Sequence, residues 1–339
     1  MKPSITSVGA LVLVGAVAAY GYRAVALPSQ AAAVHQVVEV PEGGSFKEVA
    51  NLLARKGLIV SPFWFRLLGK VQGAERRVQP GEYDLHTAMR PTEILNALVK
   101  GNVIQYSVLI PEGLTAQQIG KVLEDAGIAK EADVAGLVAD PAFVKSLGFE
   151  AKTLEGYLFP DTYHFRRKTK PEDVLRAMVH RFKDAYTPGL QAQAAALGLT
   201  ERQVVTLASI IEKETGRDDE RPLISAVFHN RLKKRLALQS DPTVIYGIRN
   251  FSGNLTRKDL GRPTPFNTYT SRGLPPGPIA NPGLKALQAA VNPAPVKYLY
   301  FVSKNDGSHH FSVTLAEHNR AVERYQKKRG ARRAPRKAA

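Results

Sequence analysis

The sequence predicts an α+β protein in three parts: an apolar N-terminal helix, a subdomain of repeated strand and helix units, and a larger mixed half of helices and ordered loops. Three observations carry that expectation. Residues 5–22 hold no charge and are mostly apolar or small. The pattern of residues 37–59 returns from Ser107 onward, and beyond residue 150 apolar helical runs alternate with stretches rich in Gly, Pro, amides and aromatic rings. With 339 residues, 44% hydrophobic, 27 Gly and 22 Pro, the chain has room for two domains and suits a globular, loop-rich protein. It contains no cysteine, which excludes disulfide frameworks, thiolate metal sites and a Cys nucleophile.

The N-terminal segment decides compartment. Leu11–Ala19 is its most hydrophobic part, and extension to Leu27 crosses only Arg23. A bilayer core requires about 20 apolar residues, so residues 1–35 are expected to be a weak, Ala- and Gly-rich transmembrane anchor with its linker. Lys2 then lies inside and the bulk of the chain outside. A cleaved signal peptide is the competing reading, since Lys2 precedes a short apolar core followed by small residues. Both export residues 36 onward.

The repeat comes next. Pro41-Glu42-Gly43 matches Pro111-Glu112-Gly113, Ser45 matches Thr115, Val49 matches Ile119, Leu53 matches Leu123 and Gly57 matches Gly127. In each copy alternating residues before Pro form a strand, Ser45 or Thr115 caps a helix, and Gly57 or Gly127 ends it. The spacing of four from Val49 to Leu53, and from Ile119 to Leu123, gives each helix a buried side. Between the copies, residues 78–83 predict a turn and strand, and 90–95 the start of a short helix. Such units resemble LysM-like glycan-binding modules, and a scaffold that only positions the second half competes equally. The repeated subdomain is assigned to residues 36–150.

Charged, Ala-rich helices are expected within 115–150 and 171–197, interrupted by an ordered loop or strand over 154–163. Residues 204–214 then read Val-Val-Thr-Leu-Ala-Ser-Ile-Ile-Glu-Lys-Glu. At about 100° per residue Glu212 falls between Val205 and Ala208 on the buried side, with Lys213 and Thr206 opposite. Desolvation there would favour a protonated carboxyl, the environment a neutral-pH proton donor needs. Two structural roles compete: a position where the helix emerges into water, or an ion pair with a nearby Arg. Another helix is expected from Asp219 or Glu220 to Lys234. Long polar loops follow through Leu238–Gly247, Pro265–Tyr269 and Gly273–Gly283, whose amides and hydroxyls beside flat rings suit sugar recognition.

These segments together carry a resemblance. The repeated Pro-Glu-Gly units, Glu155-Gly156-Tyr157-Leu158-Phe159-Pro160-Asp161-Thr162-Tyr163, Ala208–Thr215, Gln239–Tyr246, Asn267-Thr268-Tyr269, Gly273–Ile279 and Glu317-His318-Asn319 resemble, in order and spacing, the endolytic murein transglycosylase (YceG-like) family. The match covers about residues 36–325. It implies a single-pass protein of the cytoplasmic membrane with a YceG-like catalytic domain, residues 151–326, on the outer (periplasmic) side, cleaving nascent peptidoglycan near the wall-building synthases, the penicillin-binding proteins. It puts the catalytic acid at Glu212. That acid would protonate the MurNAc–GlcNAc oxygen and then take the proton of the MurNAc C6 hydroxyl, leaving a 1,6-anhydro end and limiting strand elongation.

Gln239, Ser240, Asp241, Thr243, Tyr246, Asn267 and Tyr269 are the candidates for the sugar groove, each against a role in loop bracing. Glu214 points about 200° from Glu212 and is expected to face solvent or pair with a cation. Should the enzyme instead be a lysozyme-type hydrolase, which usually needs two carboxylates, Glu214, Asp218, Asp219 or Asp241 would supply the second, Asp241 being the best of them although Asp-Pro also commonly starts a turn. A noncatalytic wall-binding scaffold is the other alternative. Asn230 and Arg231 read as structural. His309, His310 and His318 lack zincin spacing, so neither metal nor cofactor is expected.

Of the formal net charge of +17, Lys327, Lys328, Arg329, Arg332, Arg333, Arg336 and Lys337 supply seven, in a tail over 327–339 expected to be disordered. No nucleic-acid-binding motif accompanies the charge; in an exported protein the acidic partners are anionic lipid headgroups and wall polymers.

Overall fold

A computed structural model describes residues 5–248 and 251–327. All of the expected basic tail except Lys327 therefore lies outside the described residues. Two compact units are present: residues up to Tyr106 together with His164–Lys168, and Ser107–Tyr163 together with Thr169 onward. The chain thus divides just before the second copy of the repeat, where the sequence suggested a boundary at 150.

The first unit opens with α1 (Ile5–Ala26), followed by β1 (His35–Val40), α2 (Phe46–Arg55), α3 (Pro62–Val71), β2 (Gly81–His86) and α4 (Pro91–Lys100). β1 and β2 run antiparallel, with Val38 opposite Tyr83. Alternation buries Val38, Val40, Tyr83 and Leu85 against Phe46, Val49, Leu53, Phe65, Ile94 and Leu98. Ser45 and Glu48 form a full capping box at the start of α2. Gly57, at φ +68°, ends it in the left-handed region that favours glycine. α3 carries no comparable local signal; Pro62 opens it, and its own Gly69, lacking a side chain, admits the Phe46 ring. No single helix among the described residues is both long and apolar enough to cross a membrane, and Val12–Ala26 is a shorter apolar segment. Its Val12, Leu13, Val14 and Val17 are exposed, whereas Gly21 and Ala24 are buried. Trp64 packs so closely on Gly21 that an added Cβ would stand 2.8 Å from its ring.

β3 (Tyr106–Leu109) leads into the second unit through α5 (Ala116–Asp125), α6 (Glu131–Val138) and α7 (Pro141–Ser146). β4 (Thr162–Phe165), α8 (Pro171–Ala185), α9 (Pro188–Ala196), α10 (Glu201–Glu214) and α11 (Arg221–Lys233) follow. Next come α12 (Asp241–Tyr246), α13 (Arg257–Gly261), α14 (Leu284–Val291), β5 (Tyr300–Ser303), β6 (His309–Ser312), α15 (Leu315–Val322) and a π-helical turn, Glu323–Lys327. The second repeat copy keeps its local design: Thr115 and Gln118 form a capping box, Ile119 and Leu123 are buried, and Gly127 is at φ +67°. β5 and β6 form an antiparallel hairpin with Phe301 opposite Phe311.

α10 is the axis of this unit. It packs against α9, α11, α12 and α14, and every residue from Val204 to Ile211 is buried. Contact on all sides corrects one expectation. Thr206, placed opposite the buried face by the helical wheel, is 2% exposed and donates its hydroxyl to Arg202 O at 2.7 Å. Each fully buried Val, Leu or Ile contributes roughly 1.5–3 kcal/mol relative to exposure, so α10 is fixed firmly enough to hold the groups at its C-terminal end.

Candidate active site

Thr200 and Gln203 form the capping box that starts α10, and Thr215, in extended conformation, ends it. Glu212 therefore lies in the last turn. Its side chain is 5% exposed. Arg221 Nη2 donates to Glu212 Oε1 at 3.0 Å, and the Gly283 backbone N–H donates to Oε2 at 2.9 Å. The expected acid in apolar surroundings is instead a carboxyl gripped by one guanidinium and one amide. Arg pairing, which competed with catalysis in the sequence, is present.

Arg221 occupies the first turn of α11, with a side chain 6% exposed. A guanidinium buried that deeply requires carboxylate partners. Besides Glu212 it pairs with Asp218, which Lys285 also engages from the first turn of α14. Glu112 brings a further carboxyl to 3.8 Å from the same Nη2. Burial first, and the nearby Glu212 charge second, raise the Glu112 carboxyl above its ordinary range, against the opposing pull of Arg221 and Lys285.

Two glycines let these pieces approach. Any Cβ on Gly283 would collide with the Glu112 carboxyl. Gly113 turns at φ +75° beside Glu212 Cγ. The Gly113 N–H donates to Asn281 O at 2.9 Å, the Asn281 N–H donates to Leu114 O at 2.8 Å, and Lys213 Nζ donates to Gly113 O at 3.0 Å. Segments 111–114 and 281–283 are thereby joined over the end of α10.

Glu155 supports that junction. It is 6% exposed and accepts from the Ala116 N–H in the first turn of α5, from Asn281 Nδ2 at 2.9 Å and from the Tyr246 hydroxyl at 3.2 Å. Burial outweighs these donors and pushes its carboxyl up to about 7. Asn281 Oδ1 accepts from the Gly156 and Leu158 N–H groups, closing the network.

The residues expected in the sugar groove are tied to α10 and to the Glu155 network by hydrogen bonds of their own. Ser240 donates its hydroxyl to Glu214, and Thr243 bonds Ser240 O and the Thr268 hydroxyl. Asn267 is fully buried and donates to Leu260 O and Arg262 O. Gln239 accepts from Arg231, Tyr246 reaches Glu155, and Tyr269 donates to the exposed Asp241 at 2.6 Å. Each thus has a bracing partner within the protein. Glu214 is not the solvent-facing or ion-paired residue expected; burial, helped by Asp241, pushes its carboxyl up to about 7 against the Ser240 hydrogen bond. Arg231 braces the hairpin and loop through Leu299 O and Leu238 O, and Asn230 donates to Val296 O and Tyr298 O. His309 pairs with Glu220 at 2.6 Å, His310 lies by Tyr325 and His318 stacks on Tyr300.

A groove of about 770 Å³ is lined by Asp218, Arg221 and Lys285, by the amides of Gln193, Gln288 and Asn292, and by apolar groups including Leu190, Pro222 and Leu284. Arg221 therefore links Glu212 to the groove. Residues 239–246 and 267–269 do not line it. Sequence reasoning missed Glu112, Arg221 and Gly283 as partners of Glu212; the repeated Pro-Glu-Gly motif was the available signal for the first, and Arg221 carried none.

Comparison with known proteins gives a consistent result. The sequence profile of the YceG-like family matches residues 38–324. An endolytic murein transglycosylase of Bacillus subtilis (strain 168) is 33% identical over 304 residues, covering 85% of this chain and 84% of the relative. An endolytic murein transglycosylase of Streptococcus pneumoniae (strain D39) is 28% identical, covering 92% of this chain but 63% of that longer relative. A yceG-like protein from Listeria monocytogenes, solved by crystallography at 2.6 Å, superposes with a TM-score of 0.59 at 33% identity, covering 84% of this chain and 98% of that one.

Proposed function

The chain belongs to the YceG-like family, and from that premise we propose that it is an endolytic peptidoglycan lytic transglycosylase with Glu212 as its catalytic acid and base. Glu212 protonates the oxygen joining MurNAc to GlcNAc. The MurNAc C6 hydroxyl attacks C1, returns its proton to the carboxylate and closes a 1,6-anhydro ring. Bonds and protons balance without water. One carboxyl serves both halves because the nucleophile belongs to the substrate, whereas ordinary glycosidases usually employ two. Cutting inside nascent strands limits their length, beside the penicillin-binding proteins that extend them.

The observation that carries this reading is the fixed Glu212 carboxyl, held by Arg221 and the Gly283 N–H with Arg221 opening onto the groove. A carboxyl locked at both oxygens is pre-organised. Accepting two hydrogen bonds is the base half of the cycle; the acid half needs a proton in this cluster. The exposed apolar side chains of α1 suit a membrane anchor that leaves the rest of the chain on the wall side.

Digestion of uncrosslinked strands in ¹⁸O-labelled water tests the chemistry. The lyase yields unlabelled anhydro ends. Label in reducing-end MurNAc would assign the lysozyme-type reaction instead, and absence of any cleavage would favour the wall-binding scaffold.

A further inference from the structure

We propose that Glu112 is a positioning residue that forms a coupled carboxyl pair with Glu212 on Arg221, the pair holding one proton between them so that the acid is loaded when a strand arrives. This rests on the reading of Glu212 as the acid. The geometry is specific. One nitrogen, Arg221 Nη2, stands 3.0 Å from Glu212 Oε1 and 3.8 Å from Glu112 Oε2. One residue, Gly283, gives its N–H to Glu212 while its bare Cα makes room for the Glu112 carboxyl. Side-chain exposure differs tenfold in order, 5% for Glu212 against 47% for Glu112, so the second carboxyl has access to solvent protons that the first lacks.

Two adjacent carboxylates share titration steps, and removing the last proton leaves like charges side by side. Charged groups around Glu112 are Glu212 on α10, Arg221 on α11, Asp218 in the turn between them and Lys285 on α14, with Lys213 of α10 bonded to the adjacent Gly113 carbonyl. Burial and the two acids among these push the Glu112 carboxyl up, and Arg221 and Lys285 pull it down, with a net upward direction. In the cycle Glu212 gives the shared proton to the leaving oxygen and regains one from the C6 hydroxyl. The pair ends with the proton it began with.

The test is the pH profile of anhydro-end release by the full chain, comparing wild type with Glu112→Gln and Glu112→Asp. Replacing Glu112 by Gln removes the like charge, so the site loses its proton at lower pH. The alkaline limb is expected to move down by about one pH unit, with a loss of roughly tenfold on that limb and little change on the acid side. Glu112→Asp, which keeps the charge but withdraws it by one methylene, shifts the limb less in the same direction and serves alone should the Gln variant fail to fold. Profiles that superimpose on wild type, or a uniform loss at every pH, would overturn the proposal. Failure of wild type itself to release anhydro ends would instead overturn the underlying reading of Glu212.

Discussion

Glu212 is an acid whose place on a buried helix could be read from periodicity, and whose partners could not. Its helical neighbours are local, but Arg221, Gly283 and Glu112 reach it from 9, 71 and 100 positions away, and only tertiary packing brings them together. The same holds for Glu155, which sits in a motif quoted from the sequence yet gains its meaning from Asn281, Ala116 and Tyr246. Glu155→Ala is expected to destabilise the protein by about 2–4 kcal/mol, because it leaves buried donors without an acceptor; a fall in Tm under neutral conditions checks this. The pH dependence follows from the upward shift of its carboxyl to about 7. An acid with a raised folded-state value retains its proton in the fold while the unfolded chain loses it. Stability from this group is therefore fully present below about pH 4.5 and declines as pH rises toward 7. Denaturation midpoints of Glu155→Gln should lack that part of the decline, and an unchanged slope would contradict it.

At the scale of elements, starts and stops were the most legible features. Ser45, Thr115 and Thr200 each close a capping box, because a hydroxyl followed three residues later by Glu or Gln satisfies helix N–H groups locally. Thr200→Ala is expected to cost about 1 kcal/mol, measured by denaturant unfolding, with the chemistry of the remaining folded enzyme unchanged. Less legible were α3 and the β5–β6 hairpin, whose residues carry weak local signals and depend on Phe46 and Arg231 for their packing. Residue type in the loops after α11 suits a sugar groove and self-bracing equally, because amides, hydroxyls and rings serve both. In the fold Asn267 and Thr243 have internal partners. Chemistry of residue type alone does not distinguish those two uses. Gly283→Ala is a sharper test of the junction: at φ −79° its backbone accepts alanine, but the new methyl displaces Glu112. Activity should fall several-fold while Tm changes little; unaltered activity would show that the Glu112 position is immaterial.

On the scale of the whole molecule, the repeat is visible in sequence but its allocation is not, since similar local patterns serve both units and only packing assigns the second copy to the second unit. The apolar residues of α1 give the proposed anchor a direct check. Full-length protein should stay with membranes after a salt wash, whereas a chain beginning at Pro28 should be soluble and still cleave strands; a soluble full-length protein would remove the anchor. The proposal that this family member cuts peptidoglycan internally rests on Glu212. Its most direct test is mass spectrometry of the ends and lengths of fragments from uncrosslinked glycan strands, with wild type beside Glu212→Gln. Internal fragments ending in anhydro-MurNAc from wild type, and none from a folded Glu212→Gln protein that still binds strands, are the predicted result. Anhydro ends released undiminished by Glu212→Gln would contradict it.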